Sequence, residues 1–373
     1  MGRENVKILL LSEKFEARGT SAYTLRLARH LPEQGFDLSV ITPDASCVDS
    51  EVRKNLRIEE FPDLEIPLWK RRFPAVLSKK YQLESPELLH IQSRGALHLG
   101  AKLARILGIP FILTVHDEVP PSARLKLEKG ICQRVIAVSE HVKKTLLEHH
   151  ASIRDNITMI HSGVETVTNA KKKSVLPPGR TPVIGTAGPL EVVKGFPFLL
   201  SAAQKILSED IEVFFLVAGA GPEEFNLRRL ADDLGISKSV SFLSGLHDFG
   251  PSLDAIDIFC LTSLQQGLGT VMLDAMSRQI PVIASQVGGV ADILEDNKSG
   301  LLVPPANSEK LAERILELLR NPVRARMIGQ EGHRVVLNEF GVEKMIERTV
   351  NVYRSVLEES HRPQMRNNEN STV

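Results

Sequence analysis

The most promising set of polar side chains lies between residues 257 and 303. This stretch alternates short apolar strands with glycine-bearing turns and helical segments. Two of its turns place backbone N–H groups at the start of a helix, where free donors and the helix dipole favour an anion. Gln266 precedes the first of these helices, and Asp274, eight residues later, lies in its first turns. The two side chains can hold a phosphorylated sugar at one end of the turn and a ribose at the other.

Three further turns carry candidate binding groups. Gly19, after the first strand, lets the backbone approach a phosphate or sugar, although a plain strand-to-helix turn capped by a hydroxyl explains it equally well. His116 ends an apolar strand and is predicted either to face a ligand or to be a structural histidine. Lys194 precedes Gly195 in a loop and can reach a diphosphate as a point charge, or it is a solvated loop lysine.

Short apolar runs and helix-period segments alternate along almost the whole chain, which is typical of parallel βαβ units. A polar, proline-bearing stretch at residues 166–181 interrupts the alternation and reads as a linker. We therefore expect an α/β protein with one domain at 1–165 and a second at 182–341. Helical patterns follow to residue 360, and the polar tail at 361–373 is predicted to be disordered.

Composition excludes several classes of protein. Lys plus Arg and Asp plus Glu number 46 each, so no overall basic field favours nucleic acid. The three cysteines lie far apart, which argues against a zinc site or a disulfide framework and fits a reducing cytoplasm. No apolar run is long enough to span a bilayer. We expect a cytoplasmic protein without a metal site.

Residues 67–83 form a basic and aromatic segment, PLWKRRFPAVLSKKYQL. Such a segment can lie on an anionic lipid surface at the inner face of the membrane. The alternative is a solvated helix that packs its aromatic side chains inward, and Pro74 interrupts any long amphipathic face. Both interpretations remain open from the sequence.

The order of the segments resembles that of the family-4 retaining glycosyltransferases of GT-B fold. The resemblance runs through RGTSAYTLRLARHLPEQGFDLSVIT, HIQSRGALHLGAKLARILGIPFILTVHD, VIAVSEHVKKTLLEHH, NITMIHSGVE, GPLEVVKGFPFLLSAA, FFLVAGAGP, SFLSGL and the 257–303 segment. It implies two Rossmann-like βαβ domains facing each other across a cleft, with the nucleotide-diphosphate sugar held mainly by the second. It also implies an acceptor site in the first domain, onto which a C-terminal helix at 342–360 packs back.

The resemblance implies roles for individual residues. Asp274 matches the position that binds the nucleotide ribose, and Gln266 matches the position that contacts the donor sugar. Lys194 matches the lysine on the diphosphate, and His116 matches the histidine beside the reacting sugar. These last three are the implied catalytic residues. Donor-binding backbone is implied at Leu268, Gly269, Thr270 and Val271 and at the first-domain loop glycine, Gly19. Retention of anomeric configuration without an essential metal or other cofactor is implied as well.

Several positions depart from the family pattern. Gln266 and Asp274 stand where the family has two glutamates, so Gln266 brings no charge to an oxocarbenium-like transition state. Pro189 replaces an arginine that would clamp phosphate. Arg18, where a glycine is usual, is a candidate replacement cation for donor binding.

Two functions remain after these departures. The first is a hexosyltransferase-type enzyme of polysaccharide biosynthesis, moving a sugar to a glycan, lipid-linked or small-molecule acceptor. The second is a catalytically silent protein of the same fold that binds a nucleotide or a partner as a scaffold. A nucleotide-sugar epimerase shares only the architecture.

Overall fold

The computed structural model describes residues 5–15, 19–65, 73–120, 125, 127, 131–166, 176–244 and 249–369. The chain divides into two compact units. The first unit contains the N-terminal segment, Thr20–His161 and the chain from Glu343 onward, and the second is built mainly on Ser162–Val342. Each unit has its own parallel sheet, so the predicted α/β class with two parallel domains is confirmed.

Seven strands in the described part of the first unit form one sheet, in the order β3-β2-β1-β4-β5-β6-β7. Their bounds are β1 (Val6–Leu11), β2 (Phe36–Thr42), β3 (Ile58–Glu60), β4 (Leu88–Ile91), β5 (Phe111–Val115), β6 (Cys132–Ala137) and β7 (Ile157–Met159). The helices are α1 (Gly19–His30), α2 (Ser50–Asn55), α3 (Phe73–Gln82), α4 (Leu97–Leu107) and α5 (Glu140–His149). Central strands such as β4 and β5 are buried along their whole length, because helices cover both faces of a parallel sheet.

The second unit repeats this plan with six strands among its described residues, in the order β10-β9-β8-β11-β12-β13. The strands are β8 (Val183–Ala187), β9 (Phe214–Ala218), β10 (Val240–Leu243), β11 (Ile258–Leu261), β12 (Val282–Ser285) and β13 (Leu301–Val303). The helices are α6 (Phe196–Leu207), α7 (Glu224–Asp233), α8 (Gly250–Ala255), α9 (Thr270–Ser277), α10 (Ser308–Arg320) and α11 (Pro322–Val335). The strand order reverses between β8 and β11, and ligands of such sheets bind beyond the carboxyl ends of the strands at this point.

The last helix, α12 (Val342–Glu369), belongs to the first unit from Glu343 onward. Its Tyr353 is fully buried and hydrogen-bonds His90 of β4 through a 2.7 Å contact to Nδ1. The helix extends past the predicted end at residue 360, so the expectation of disorder from 361 is corrected over 361–369, while 370–373 lie outside the described residues. Helix propagation costs much less than nucleation, and a formed helix continues without an apolar face.

Other differences from the sequence prediction lie in short or charged elements. The stretch between β2 and β4 contains α2, β3 and α3, which the sequence pattern did not reveal because these elements are short and rich in charge. The apolar run at residues 211–218 predicts a strand that begins at Ile211, whereas β9 begins at Phe214. Helix α11 ends at Val335 and passes into a wider turn at Val336–Phe340. Among the residues described, no helix has the length and apolar character needed to cross a membrane.

Candidate functional site

The site in the second unit is built on the turn between β11 and α9. Gly269 caps the start of α9 with φ of 91°, in the left-handed region that favours glycine. The first helical bond runs from the Met272 N–H to the Gly269 carbonyl at 3.0 Å. The N–H groups of Thr270 and Val271 precede it and therefore have no helical acceptor. Leu268 is buried and anchors the turn in the core, so these two amides lie at the positive end of the helix dipole.

A second glycine turn packs against the first. Gly288 has φ of 53°, and a Cβ atom there would lie 1.7 Å from the carbonyl oxygen of Gln266. The Gly289 N–H donates to the carbonyls of Gln266, at 3.3 Å, and Gly267, at 3.1 Å. Because no side chain separates the two turns, the backbone of Gln266 is held in place.

Two of the predicted site residues, 72 positions apart, are in direct contact. Lys194 Nζ donates to Gln266 Oε1 at 3.0 Å, and the buried Ser263 Oγ donates to the same oxygen at 3.1 Å. The contact follows from topology, since Lys194 follows β8, Gln266 follows β11, and these strands are neighbours in the sheet.

The loop that carries Lys194 is itself tied to the β11 turn. Thr262 Oγ1 donates to the Lys194 carbonyl at 3.0 Å, and the Leu264 N–H donates to the Val193 carbonyl at 2.8 Å. Gly195 has φ of 63°, and a Cβ there would lie 2.2 Å from the Thr262 carbonyl oxygen. A half-buried ammonium group is thereby fixed at the carboxyl edge of the sheet, where a phosphate can reach it.

Asp274 lies one helical turn after Thr270, so the two residues share a face of α9. Its carbonyl accepts hydrogen bonds from Ser277 Oγ at 2.8 Å and from an Arg278 guanidinium nitrogen at 2.9 Å. Its side chain is half-buried. The carboxylate can accept hydrogen bonds from two hydroxyl groups, as a ribose requires.

His116 stands directly after β5 in the first unit. It bonds the backbone carbonyl of Gln92, while its Nε2 is inaccessible to water and has no partner within the described ranges. The Gln92 bond must therefore come from Nδ1–H, which leaves a lone pair on Nε2. Burial lowers the pKa of His116 to about 4, against smaller upward effects of Asp117 and the Gln92 bond. The ring is therefore neutral near pH 7, and its Nε2 lone pair is buried.

Sequence reasoning missed a buried polar cluster near His116. His90 Nδ1 bonds the Tyr353 hydroxyl and His90 Nε2 bonds Thr114 Oγ1, each at 2.7 Å. Burial lowers the pKa of His90 to about 3, with a smaller effect from His116. Tyr23, whose ring meets that of His116 edge-on at 4.9 Å, is fully buried. The one available signal was a polar His90 inside an otherwise apolar strand.

The structure describes the other predicted site positions only in part. Gly19 is the first residue of α1 and is half-buried. Arg18, the candidate replacement cation, lies outside the described residues. Pro189 follows β8 in the loop that leads to Lys194. Across the part of the chain that the structure describes, no group of three or more His, Cys, Asp or Glu side chains is arranged to hold a metal ion.

Two family models match adjacent parts of the chain. Residues 17–167 match the model described as Glycosyltransferase Family 4, and residues 167–335 match Glycosyl transferases group 1. The chain is 28% identical over 326 residues to the lipopolysaccharide core biosynthesis glycosyltransferase LpsE of Rhizobium meliloti, covering 87% of this chain and 92% of the relative. It is 23% identical to N-acetyl-alpha-D-glucosaminyl L-malate synthase of Bacillus anthracis, covering 91% and 94%.

Solved structures show the same fold. The HepE protein of Anabaena, solved in complex with UDP-glucose, matches with a TM-score of 0.80 at 20% identity, over 94% of this chain and 99% of that one. Sucrose-phosphate synthase from Thermosynechococcus elongatus matches with a TM-score of 0.78 at 20% identity, over 95% and 100%. With both halves matched by consecutive models and the fold shared throughout, this chain belongs to the family-4 glycosyltransferases of GT-B fold.

Proposed function

We propose that this chain is a retaining hexosyltransferase that uses a nucleoside diphosphate sugar held by its second unit. The observation that carries the proposal is the contact of Lys194 Nζ with Gln266 Oε1 beside the start of α9. A held cation, backbone N–H groups without a helical acceptor and a side-chain amide for the sugar come together here. The strand order of the sheet reverses at this place, and ligands of such sheets bind there. HepE, which shares the fold, was solved with UDP-glucose.

The diphosphate is assigned to Lys194 and to the amides of Thr270 and Val271. The start of a helix carries roughly half a positive charge, and free amides there bind phosphate oxygens. As the bond from the sugar to the diphosphate breaks, negative charge grows on the leaving group. Lys194 and these amides face that charge without moving, which is the arrangement that lowers a transition-state barrier most.

The ribose is assigned to Asp274, and the donor sugar to Gln266. The carboxylate of Asp274 accepts hydrogen bonds from ribose hydroxyls, and its position on the face of Thr270 keeps the ribose next to the phosphates. His116 is assigned to the position beside the reacting sugar, as the resemblance to the family implies. Retention follows the resemblance of the chain to the retaining family, and no residue role here requires a metal.

A glycan or lipid-linked acceptor is proposed for the first unit. The relative LpsE is named for lipopolysaccharide core biosynthesis, and it aligns over most of both chains. The relative from Bacillus anthracis is named for a malate product, so a small-molecule acceptor is the alternative within the same family. A place in polysaccharide biosynthesis fits the first of these.

Nucleotide release by the purified chain tests the proposal. UDP-, GDP- and ADP-sugars are offered with a mixed glycan acceptor extract, and the free nucleotide is measured with and without a chelator. We expect the donors of one nucleotide to be consumed, with turnover unchanged by the chelator. The glycosidic bond of the product should have the same anomeric configuration as the donor sugar. Inversion at the anomeric carbon would contradict the retaining assignment.

The silent scaffold is the second candidate, favoured by Pro189 and the uncharged Gln266 in positions where the family places charge. It predicts nucleotide binding without release from any donor. Catalytic silence with intact binding would therefore replace the first proposal with this one.

Peripheral membrane contact is proposed only for part of residues 67–83. Leu77 and Tyr81 of α3 are buried, and Tyr81 donates to Glu59 Oε2 at 2.8 Å, so neither side chain is available to lipid. Val76 is exposed, and Lys79 and Lys80 are exposed beside it. Residues 66–72, with Lys70, Arg71 and Arg72, lie outside the described residues. Co-sedimentation with anionic liposomes, compared with a charge-reversed variant at those three positions, tests this contact; equal and negligible pelleting removes it.

A further inference from the structure

The orientation of the Gln266 amide is fixed by the chemistry of its partners. Lys194 is only a donor, so the side-chain atom 3.0 Å from its Nζ must be the oxygen of Gln266 and not the nitrogen. Ser263 Oγ donates to the same oxygen at 3.1 Å, which uses the second lone pair. The amide nitrogen is therefore directed away from both partners.

Little freedom remains for this residue to turn. Its carbonyl accepts from the Gly289 N–H, and Gly288 packs directly on that carbonyl. Ser263 is 1% exposed and cannot follow a moving side chain into solvent. The backbone and the side-chain oxygen of Gln266 are thus both held before any ligand arrives.

The nitrogen, in contrast, is open. Within the described part of the chain Gln266 Nε2 makes no hydrogen bond. It is not among the fully buried polar atoms that lack a partner, so the nitrogen is accessible to a ligand. Its two N–H groups are presented to whatever occupies the site, and they can only donate. A carboxylate at this position would present only acceptors.

We propose that Gln266 makes the donor site selective for a sugar that presents an acceptor oxygen to Nε2, most strongly a carboxylate oxygen as in a uronic acid. The inference rests on the proposed function and specifies its substrate class. A carboxylate accepts from Nε2–H without a competing donor, and the ammonium of Lys194 lies close enough to favour negative charge. Ser263 acts as a positioning residue that keeps the amide oxygen turned inward.

The test compares matched donors that differ only in the group presented. Binding of UDP-glucose, UDP-glucuronate and UDP alone is measured by calorimetry. The proteins compared are wild type, Gln266→Glu, Ser263→Ala and Ser263→Thr. If GDP is the nucleotide bound, GDP-mannose, GDP-mannuronate and GDP replace the three UDP ligands. Affinity for the nucleotide alone serves as the control for folding. Gln266→Glu keeps the shape of the side chain and an acceptor for Lys194. It replaces the two N–H donors that face the sugar with a charged acceptor, and the nucleotide-alone affinity reports any effect of that charge through Lys194.

We expect Gln266→Glu to shift the uronate-to-hexose affinity ratio about 10- to 100-fold toward the hexose, the cost of a lost charge-assisted bond and a like-charge contact. Ser263→Ala should shift it severalfold in the same direction, and Ser263→Thr should restore it. An unchanged ratio in Gln266→Glu, with nucleotide binding intact, overturns the inference alone. Failure of the wild type to bind any nucleotide overturns the proposed function with it.

Discussion

The two buried histidines of the first unit illustrate how individual residues are tuned by their surroundings. His116 and His90 are both neutral in the folded chain because burial disfavours the charged ring. Neutrality gives His116 a bare Nε2, and it lets His90 donate through one nitrogen and accept through the other. The same burial must make the folded state sensitive to acid.

Stability is predicted to fall with pH below about 6.5, the ordinary pKa of histidine. The pKa of His90 is about 3 in the folded chain, so only the unfolded state takes up that proton between pH 6.5 and pH 3. Each such histidine removes about 1.4 kcal/mol of unfolding free energy per pH unit in this window, and nothing above it. Urea unfolding at pH 7, 6 and 5 measures the slope.

Replacing His116 with Asn should remove part of that slope, because the pKa of about 4 in the folded chain makes His116 a second contributor. Replacing the exposed His98 with Gln is the control for the loss of a histidine at the surface. A slope equal in wild type and His116→Asn would contradict the burial assigned to His116.

Sequence reasoning reached the individual site residues but not their partners. The resemblance named Lys194, Gln266, Asp274 and His116, yet their roles remain predictions. The Lys194–Gln266 contact depends on β8 and β11 being neighbours, which no local pattern encodes. Ser263 and His90 carry no motif, so only three-dimensional packing reveals them.

At the scale of elements, the proposed donor site depends on loops that are in backbone contact at glycines. The turn at Gly288 presses against the backbone of Gln266, and Gly195 presses against that of Thr262. A parallel sheet brings the carboxyl ends of its strands to one edge. Because glycine has no side chain, the loops at that edge can come into backbone contact. The loops behave as one assembly.

Gly288→Ala is predicted to disturb this assembly. The new Cβ would lie 1.7 Å from a backbone oxygen, and φ of 53° is unfavourable for alanine. We expect a loss of about 2 kcal/mol or more in unfolding free energy and weaker nucleotide binding. Gly235→Ala is the matched control, since its φ is 70° but no atom lies within 4 Å of the added Cβ. Equal losses in both variants would show that only backbone conformation matters.

The attachment of α12 to the first sheet gives another prediction. Tyr353→Phe removes the hydroxyl that bonds His90 Nδ1 at 2.7 Å and leaves a fully buried polar nitrogen. We expect a loss of about 1–3 kcal/mol, measured as a shift in the urea midpoint of the first unit.

Tyr23→Phe provides the comparison for that change. Its buried hydroxyl faces Thr114 and Thr349, but within the described residues no partner meets hydrogen-bonding geometry. Its removal should therefore cost clearly less than that of the Tyr353 hydroxyl. A Tyr23→Phe loss as large as that of Tyr353→Phe would contradict the ranking.

Element bounds followed from the sequence where the apolar pattern was clear. The pattern predicts strands at 36–42 and 88–91 and helices at 140–149, 196–207 and 308–320, and these bounds agree with β2, β4, α5, α6 and α10. The short, charged elements between β2 and β4 and the extension of α12 were missed, because their formation depends on neighbours rather than on an apolar period.

For the whole molecule, the alternating pattern was sufficient to predict the class, and the order of motifs was sufficient to predict the family. Two parallel sheets, each with a reversal of strand order, follow from repeated βαβ units. What the pattern could not supply is the chemistry of the ligand. That depends on which atoms the loops leave free at the α9 start.

The proposed function requires a nucleotide at the start of α9, and the affinities of UDP, GDP and ADP for wild type and Asp274→Ala test this requirement most directly. Asp233→Ala, an exposed change on α7 in the same unit, is the control. One nucleotide should bind the wild type and Asp233→Ala with equal affinity. Asp274→Ala should bind the same nucleotide about 10-fold more weakly, or worse, because the hydrogen bonds to the ribose are lost. Equal affinity in all three proteins, or no binding to the wild type, would contradict this requirement.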